Sequence, residues 1–201
     1  MVDSEQPEPE SVSPASAGET PGFDRTIVMV GLMGAGKSAV GRRLAARLNM
    51  PFVDADTEIE TAAGCTIAEI FERHGESAFR DGESRVIARL LEGPPIVLAT
   101  GGGAFMDDDT RALVARTGIS VWLRADLGTL VQRTAKRNHR PLLRDGDPAK
   151  TLKNLIAVRH PIYEQSDIVV ESDDSPLDKT VDRVCKALDA YLARTSRNGN
   201  P

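Results

Sequence analysis

Gly31-Leu32-Met33-Gly34-Ala35-Gly36-Lys37-Ser38 is the stretch on which the reading of this chain turns. It fits the pattern G-x-x-x-x-G-K-[ST]. An apolar run, Thr26–Val30, precedes it, and Val40, Leu44 and Leu48 follow at helical spacing. Strand, glycine-rich loop and helix in that order make a phosphate-binding loop. Glycine accepts backbone angles that other residues resist, and it lets amide N–H groups come close to phosphate oxygens. The N-terminus of the next helix adds unpaired donors and a favourable dipole. Lys37 is then placed to reach the β- and γ-phosphates of ATP, and Ser38 to ligate Mg2+. The backbone of Gly34, Ala35, Gly36 and Ala39 completes the expected nucleotide cradle. Such a loop fixes a nucleotide but not a reaction, because GTPases, motors and small-molecule kinases all use it.

Outward from the loop, short apolar strands alternate with helical stretches. That alternation predicts an α/β architecture, a parallel sheet covered by helices. The loop helix is predicted over Lys37–Leu48, and a brief strand over 51–53. Two helical pieces at 66–74 and 76–92 are separated by Gly75. Strands at 96–99, 119–123 and 168–170 alternate with helices at 107–116, 126–136, 149–160 and 177–192, with Pro161 expected to stop the third of these helices. Residues 137–147 are basic, contain Pro and Gly, and lack periodicity, so they read as a lid able to close over ATP and exclude water.

The chain has 201 residues, 40% of them apolar, which suits a single domain, predicted here as 25–194. Residues 1–24 hold six acidic side chains and no Lys or Arg, so the net charge of −5 belongs to them. The rest of the chain carries the other 24 acids against all 25 bases. This Pro-, Ser- and Glu-rich segment reads as a disordered tail, and 195–201 as a flexible C-terminal tail. The tail has neither the basic start nor the apolar centre of a secretory signal, and no apolar run approaches the ~20 residues of a membrane helix. Cys65 and Cys185 make neither a disulfide framework nor a metal cluster, which points to the cytoplasm. Aromatic residues at 4% leave no basic stripe with interleaved rings, so nucleic acid is not an expected partner.

Three further features select among the reactions open to a phosphate loop. Asp54 and Asp56 follow the second strand, where ligands bind in parallel sheets. One carboxylate there can hold a water of the Mg2+ shell, and the other can take a hydrogen bond or a proton from an attacking hydroxyl. Asp56 also precedes an apparent helix and could cap it. On the helix 76–92, Phe79, Val86, Ile87, Leu90 and Leu91 form one apolar arc, and Arg80 and Glu83 lie inside it. Arg159 shares the inward face of Leu152, Leu155 and Ile156 on the helix 149–160. A charge on a buried face is costly unless paired. Either these arginines form internal ion pairs, Arg80 with Glu83 for instance, or they await an anionic substrate group that suits a planar guanidinium. Third, the strand 96–99 ends in Thr100 and then Gly101, Gly102 and Gly103, bare backbone that a ligand can approach closely or that makes a tight turn.

GLMGAGKS, the Asp54/Asp56 pair, FRDGE, TGGG, RPLL and RHPIY, in this order between about residues 26 and 192, resemble the shikimate kinase family of nucleoside-monophosphate-kinase-like P-loop kinases. The resemblance implies a three-layer α/β/α fold with a five-stranded parallel sheet of order 2-3-1-4-5 and a lid. It implies an enzyme that turns ATP and shikimate into ADP and shikimate 3-phosphate, on the route to chorismate and the aromatic amino acids; a monomer is expected. Lys37 would bind phosphates, Ser38 the Mg2+, and Asp54 a water on that ion. Asp56 would contact shikimate hydroxyls as the base. Arg80 and Arg159 would clasp its carboxylate, and 101–103 would form the substrate turn. Arg133 would pack on adenine, and Arg140 would reach both phosphate and substrate from the lid. Ala39 departs from the family, which often has threonine there, and the acidic tail lies outside its core. A gluconate or nucleotide kinase of the same fold, or a nucleotide-binding module without chemistry, remains open at this point.

Overall fold

Five parallel strands form the sheet of the computed structural model, which describes residues 23–135 and 147–197. They are β1 (Thr26–Val30), β2 (Phe52–Asp54), β3 (Val97–Ala99), β4 (Gly118–Arg124) and β5 (Ile168–Glu171), in the order β2-β3-β1-β4-β5. That is the order the resemblance implied. Ile27 stands opposite Val97 on β3 and Ile119 on β4. A strand with neighbours on both sides and helices on both faces has no polar side to show, and all five β1 residues are buried.

Parallel neighbours need crossovers, and helices supply them. These are α1 (Lys37–Leu48), α2 (Ala55–Ala63), α3 (Ile67–Leu91), α4 (Asp108–Thr117), α5 (Leu127–Ala135), α6 (Pro148–Tyr163) and α7 (Leu177–Arg197). The main core gathers Ile27, Met29, Leu44, Leu98, Trp122 and Leu152 under them, and a small satellite of Ile59, Ile70 and Phe79 joins α2 to α3. Because the strands run parallel, the loops that follow β1, β2, β3 and β5 all open at one edge of the sheet. Among the described residues, no helix is long and apolar enough to cross a membrane.

Local chemistry explains most boundaries. α3 starts with a reciprocal cap: Glu69 N–H donates to Thr66 Oγ1 at 3.2 Å, and Thr66 N–H to Glu69 Oε2 at 2.9 Å. Gly75, at φ 78° and ψ 176°, breaks α3 where the sequence predicts an interruption.

Three expectations are corrected. Asp54, not Asp56, caps α2: it is the last extended residue, at φ −105° and ψ 118°, and its side chain accepts the Asp56 N–H at 3.2 Å. Asp56 therefore sits in the first turn, past the capping position. Pro161 does not stop α6, which runs on to Tyr163. Proline removes one backbone donor, but Tyr163 beyond it is fully buried, with its ring 5.8 Å from Trp122 and 6.4 Å from Phe105, and that packing extends the helix. α7 continues past 192 to Arg197, into the first residues of the expected C-terminal tail. The acidic residues 1–22 and most of the expected lid, Arg140 included, lie outside the described residues. Asp147 at the end of that segment caps α6, accepting the Ala149 N–H at 2.9 Å.

Candidate active site

The phosphate loop follows β1 and climbs over the end of β4. A Cβ at Gly31 would lie 2.8 Å from the Leu123 carbonyl oxygen, so only glycine lets the chain rise there. Gly36, at φ 95°, is the N-cap of α1. The first amides of a helix have no intrahelical acceptor, and Lys37, Ser38 and Ala39 occupy that first turn. Lys37 folds back over the loop, its Nζ donating to the carbonyls of Gly31 at 2.7 Å and Leu32 at 3.0 Å. Ala35 behaves differently from its neighbours. Its methyl is buried, its N–H donates to Leu32 O at 3.1 Å, and its carbonyl accepts the Ser172 hydroxyl at 2.8 Å. It shapes the loop from beneath, while Gly34, Gly36, Lys37, Ser38 and Ala39 line a cavity of about 410 Å3.

The far wall of that cavity comes from α5, the loop after β5 and α7. Arg133 of α5 donates through Nη1 to Ser172 Oγ at 3.0 Å and through Nη2 to the Asp173 carbonyl. Ser172 thus ties the phosphate loop to the loop after β5, and Ser175, Leu177 and Thr180 complete the wall. The sequence reading found Arg133 but not Ser172 or Ser175. Their only signal was their place just after the last strand.

A second group of residues converges beside the phosphate loop. Arg80 of α3 pairs with Glu83 (Nη1 to Oε2, 2.6 Å) and with Glu76 (Nη2 to Oε1, 3.1 Å). Arg159 of α6 donates to the Gly102 carbonyl at 2.8 Å, and the Tyr163 hydroxyl donates to the same oxygen. The bare turn 101–103 is packed on all sides. A Cβ at Gly103 would fall 2.4 Å from Arg80 Nη1. One at Gly101 would fall 2.3 Å from Glu83 Oε1 and 3.3 Å from Asp56 Oδ1. One at Gly102 would stand 3.3 Å from Arg159 Nη1 and 3.5 Å from both Gly31 O and Met33 N. Asp56, Arg80, Arg159 and 101–103, separated in sequence, are therefore one cluster, and Gly102 joins it to the phosphate loop.

Glu83 is the buried charge of this cluster, 2% exposed, and its Oε1 has no hydrogen-bond partner among the described residues. Burial pushes its carboxyl above the ordinary range. Arg80 opposes that shift, the negative charge of Asp56 adds to it, and Arg159 opposes it. The pairing foreseen for Arg80 is present, yet it consumes only one oxygen of Glu83. The inward place of Glu83 on α3 was visible in the sequence, and its contact with the glycine turn was not.

No group of three or more His, Cys, Asp or Glu among the described residues is arranged to hold a metal. Ser38 and Asp54 offer the sparse, hard oxygen set of a cation carried mainly by phosphates and water.

A family model for shikimate kinase matches residues 33–189. The shikimate kinase of Paramagnetospirillum magneticum is 60% identical over 168 residues, 84% of this chain and 86% of its own. That of Bradyrhizobium diazoefficiens is 57% identical over 168 residues, 84% of this chain and 81% of its own. Among solved structures, the shikimate kinase from Acinetobacter baumannii in complex with shikimate matches with a TM-score of 0.81 at 35% identity, covering 84% of this chain and 95% of that one. With the phosphate loop, the sheet order and the sequence all agreeing, this chain belongs to the shikimate kinase family and is an ATP-dependent kinase.

Proposed function

We propose that residues 25–194 form one kinase domain that transfers the γ-phosphoryl of ATP to the 3-hydroxyl of shikimate, acting as a monomer in the cytoplasm. The observation that carries the reading is the turn 101–103, packed between Gly31 of the phosphate loop and the side chains of Asp56, Arg80, Glu83 and Arg159. It supports an acceptor with an anionic group for the arginines and a hydroxyl for Asp56, held against the end of the phosphate chain.

In this reading Lys37 and the amides at 34–39 hold the β- and γ-phosphates, and Arg133 lies beside the base. Arg80 and Arg159 take the shikimate carboxylate, and a fixed carboxylate orients the ring so that one hydroxyl meets Asp56. The hydroxyl oxygen bonds to the γ-phosphorus as the bridging P–O bond to ADP breaks, and the hydroxyl proton passes to Asp56. Catalysis here is mostly positioning and charge stabilisation. Mg2+ bound with ATP would neutralise phosphate charge, with the Ser38 hydroxyl and Asp54 holding it and its water. Arg140, outside the described residues, would add its charge from the lid. The two free thiols, Cys65 and Cys185, suit a reducing compartment.

The test is ADP release from MgATP against shikimate, quinate, gluconate and nucleoside monophosphates. Saturable turnover with shikimate alone is expected. Preferred turnover of another acceptor would keep the kinase and discard the acceptor assignment. Tight ATP binding with no turnover on any of them would discard the catalytic reading.

A further inference from the structure

The Gly102 carbonyl, at the centre of the bare turn, takes two donors, Arg159 Nη1 at 2.8 Å and the hydroxyl of Tyr163. A carbonyl oxygen has two lone pairs, so both bonds coexist. The two donors differ in freedom. Tyr163 is fully buried, wedged by the rings of Trp122 and Phe105. Burial raises its phenol above the ordinary value, so it remains a protonated donor through the neutral range. Arg159 is half-exposed on a flexible side chain. In the reading above, Arg159 must offer its guanidinium to the acceptor carboxylate.

That requirement creates a problem at Gly102. An acceptor that drew Arg159 away would cover a carbonyl that has just lost a donor. The desolvation cost of an unsatisfied oxygen would then be subtracted from acceptor affinity. We infer that Tyr163 is a positioning residue that keeps the Gly102 carbonyl bonded, and the turn 101–103 in shape, while Arg159 engages the acceptor. Tyr163 acts through Gly102 and not on the reacting atoms. The inference rests on the proposed carboxylate contact of Arg159.

The experiment compares Tyr163→Phe, Arg159→Ala and the double variant by shikimate titration calorimetry, steady-state kinetics and thermal melting. Tyr163→Phe keeps the ring and removes the donor. Without shikimate its Tm should stay near wild type, because Arg159 still serves the carbonyl. Its shikimate Kd should rise roughly five- to tenfold, the worth of one hydrogen bond, with the ATP KM unchanged. In the Arg159→Ala background the same change should weaken shikimate binding further, since water serves the half-exposed carbonyl only until the acceptor covers it.

A Tyr163→Phe protein with a lowered Tm and unaltered shikimate affinity would overturn the inference and leave Tyr163 a packing residue. If Arg159→Ala weakens shikimate while Tyr163→Phe does not, the inference fails and the carboxylate contact stands. If Arg159→Ala leaves shikimate affinity intact, the contact itself fails and takes the inference with it. Should Tyr163→Phe not fold, the 13C shift of the Gly102 carbonyl in the wild-type protein decides. It should stay at its hydrogen-bonded position when shikimate is added, and a move to the position of a free carbonyl would count against Tyr163.

Discussion

Around the phosphate loop the working groups are main-chain atoms, whereas around the turn 101–103 they are charged side chains from three separate elements. The loop owes its shape to glycines at 31, 34 and 36 with positive φ and to a helix start at Lys37. Its one charged side chain, Lys37, is held by carbonyls of the same loop. The turn's local support is two backbone bonds, Ala104 N–H to the Gly101 carbonyl at 3.3 Å and Met106 N–H to that of Gly103 at 2.9 Å. Its surroundings are Asp56 after β2, Arg80 and Glu83 on α3, and Arg159 on α6. Backbone made from a contiguous string tolerates little change within that string. A cluster of charges assembled from distant elements depends on every element arriving, and its charges must be compensated in the meantime. Glu76 and Glu83 do this for Arg80, and Gly102 does it for Arg159.

The contrast predicts that the two halves can be damaged separately, most severely at Lys37. Lys37→Met removes the only ammonium in the loop. A fall of roughly 10^2–10^3 or more in kcat is expected, the scale for losing one donor aimed at transition-state charge, with shikimate binding by calorimetry retained. Loss of shikimate binding in the same variant would show that the halves are not separable.

Gly103→Ala tests the other half. Its φ of −98° suits any residue, so the backbone has no objection, but the new Cβ would fall 2.4 Å from Arg80 Nη1. The arginine is the part that gives way. The shikimate KM should rise about tenfold, as for a displaced charged contact, while the ATP KM holds and the melting temperature changes little. Equal rises in both KM values would mean that the turn also shapes the phosphate loop, through Gly102.

A smaller effect should appear in the pH dependence of stability. Burial holds Glu83 above the ordinary value of a glutamate, and this prevails over Arg80 because Glu83 is 2% exposed and the arginine side chain 29%. Once the pH passes that value, the unfolded chain has released a proton that the folded protein still holds. Stability attributable to Glu83 therefore falls as pH rises through the window up to its folded pKa, and below the window it has no slope. Melting of wild type against Glu83→Gln between about pH 4 and pH 7 should show the wild-type advantage shrinking with pH. A constant difference would mean that Arg80 compensates the charge in full.

The same division decides what could be read without a structure. The loop, its helix and all five strands follow from runs and periodicities within a few residues, and the Asp54/Asp56 pair from its place after a strand. Arg80 and Arg159 were legible because a charge at an apolar helical position asks for a partner. Which partner was not legible: Arg159 meets a carbonyl 57 residues away and Tyr163 one 61 away. Ser172, bonded to Ala35 across 137 residues, carried no local sign beyond its place just after the last strand. Pro161 misled for the same reason, since the packing of Tyr163 that keeps α6 going is a property of the sheet and not of the helix.

Gly82 sharpens the comparison by doing nothing. It lies in the same FRDGE stretch as Arg80 and Glu83, within α3, yet a Cβ there would meet no atom within 4 Å. A helical glycine with open space around it is replaceable, so Gly82→Ala should stabilise the fold by about 0.5–1 kcal/mol through helix propensity alone. Thermal melting checks that gain, and kinetics should show both KM values unmoved. The opposite result would be more instructive. A stabilised protein with a raised shikimate KM would mean that α3 must bend at Gly82 to bring Arg80 onto the acceptor. The charged half of the site would then close around its ligand, while the backbone half stands preformed.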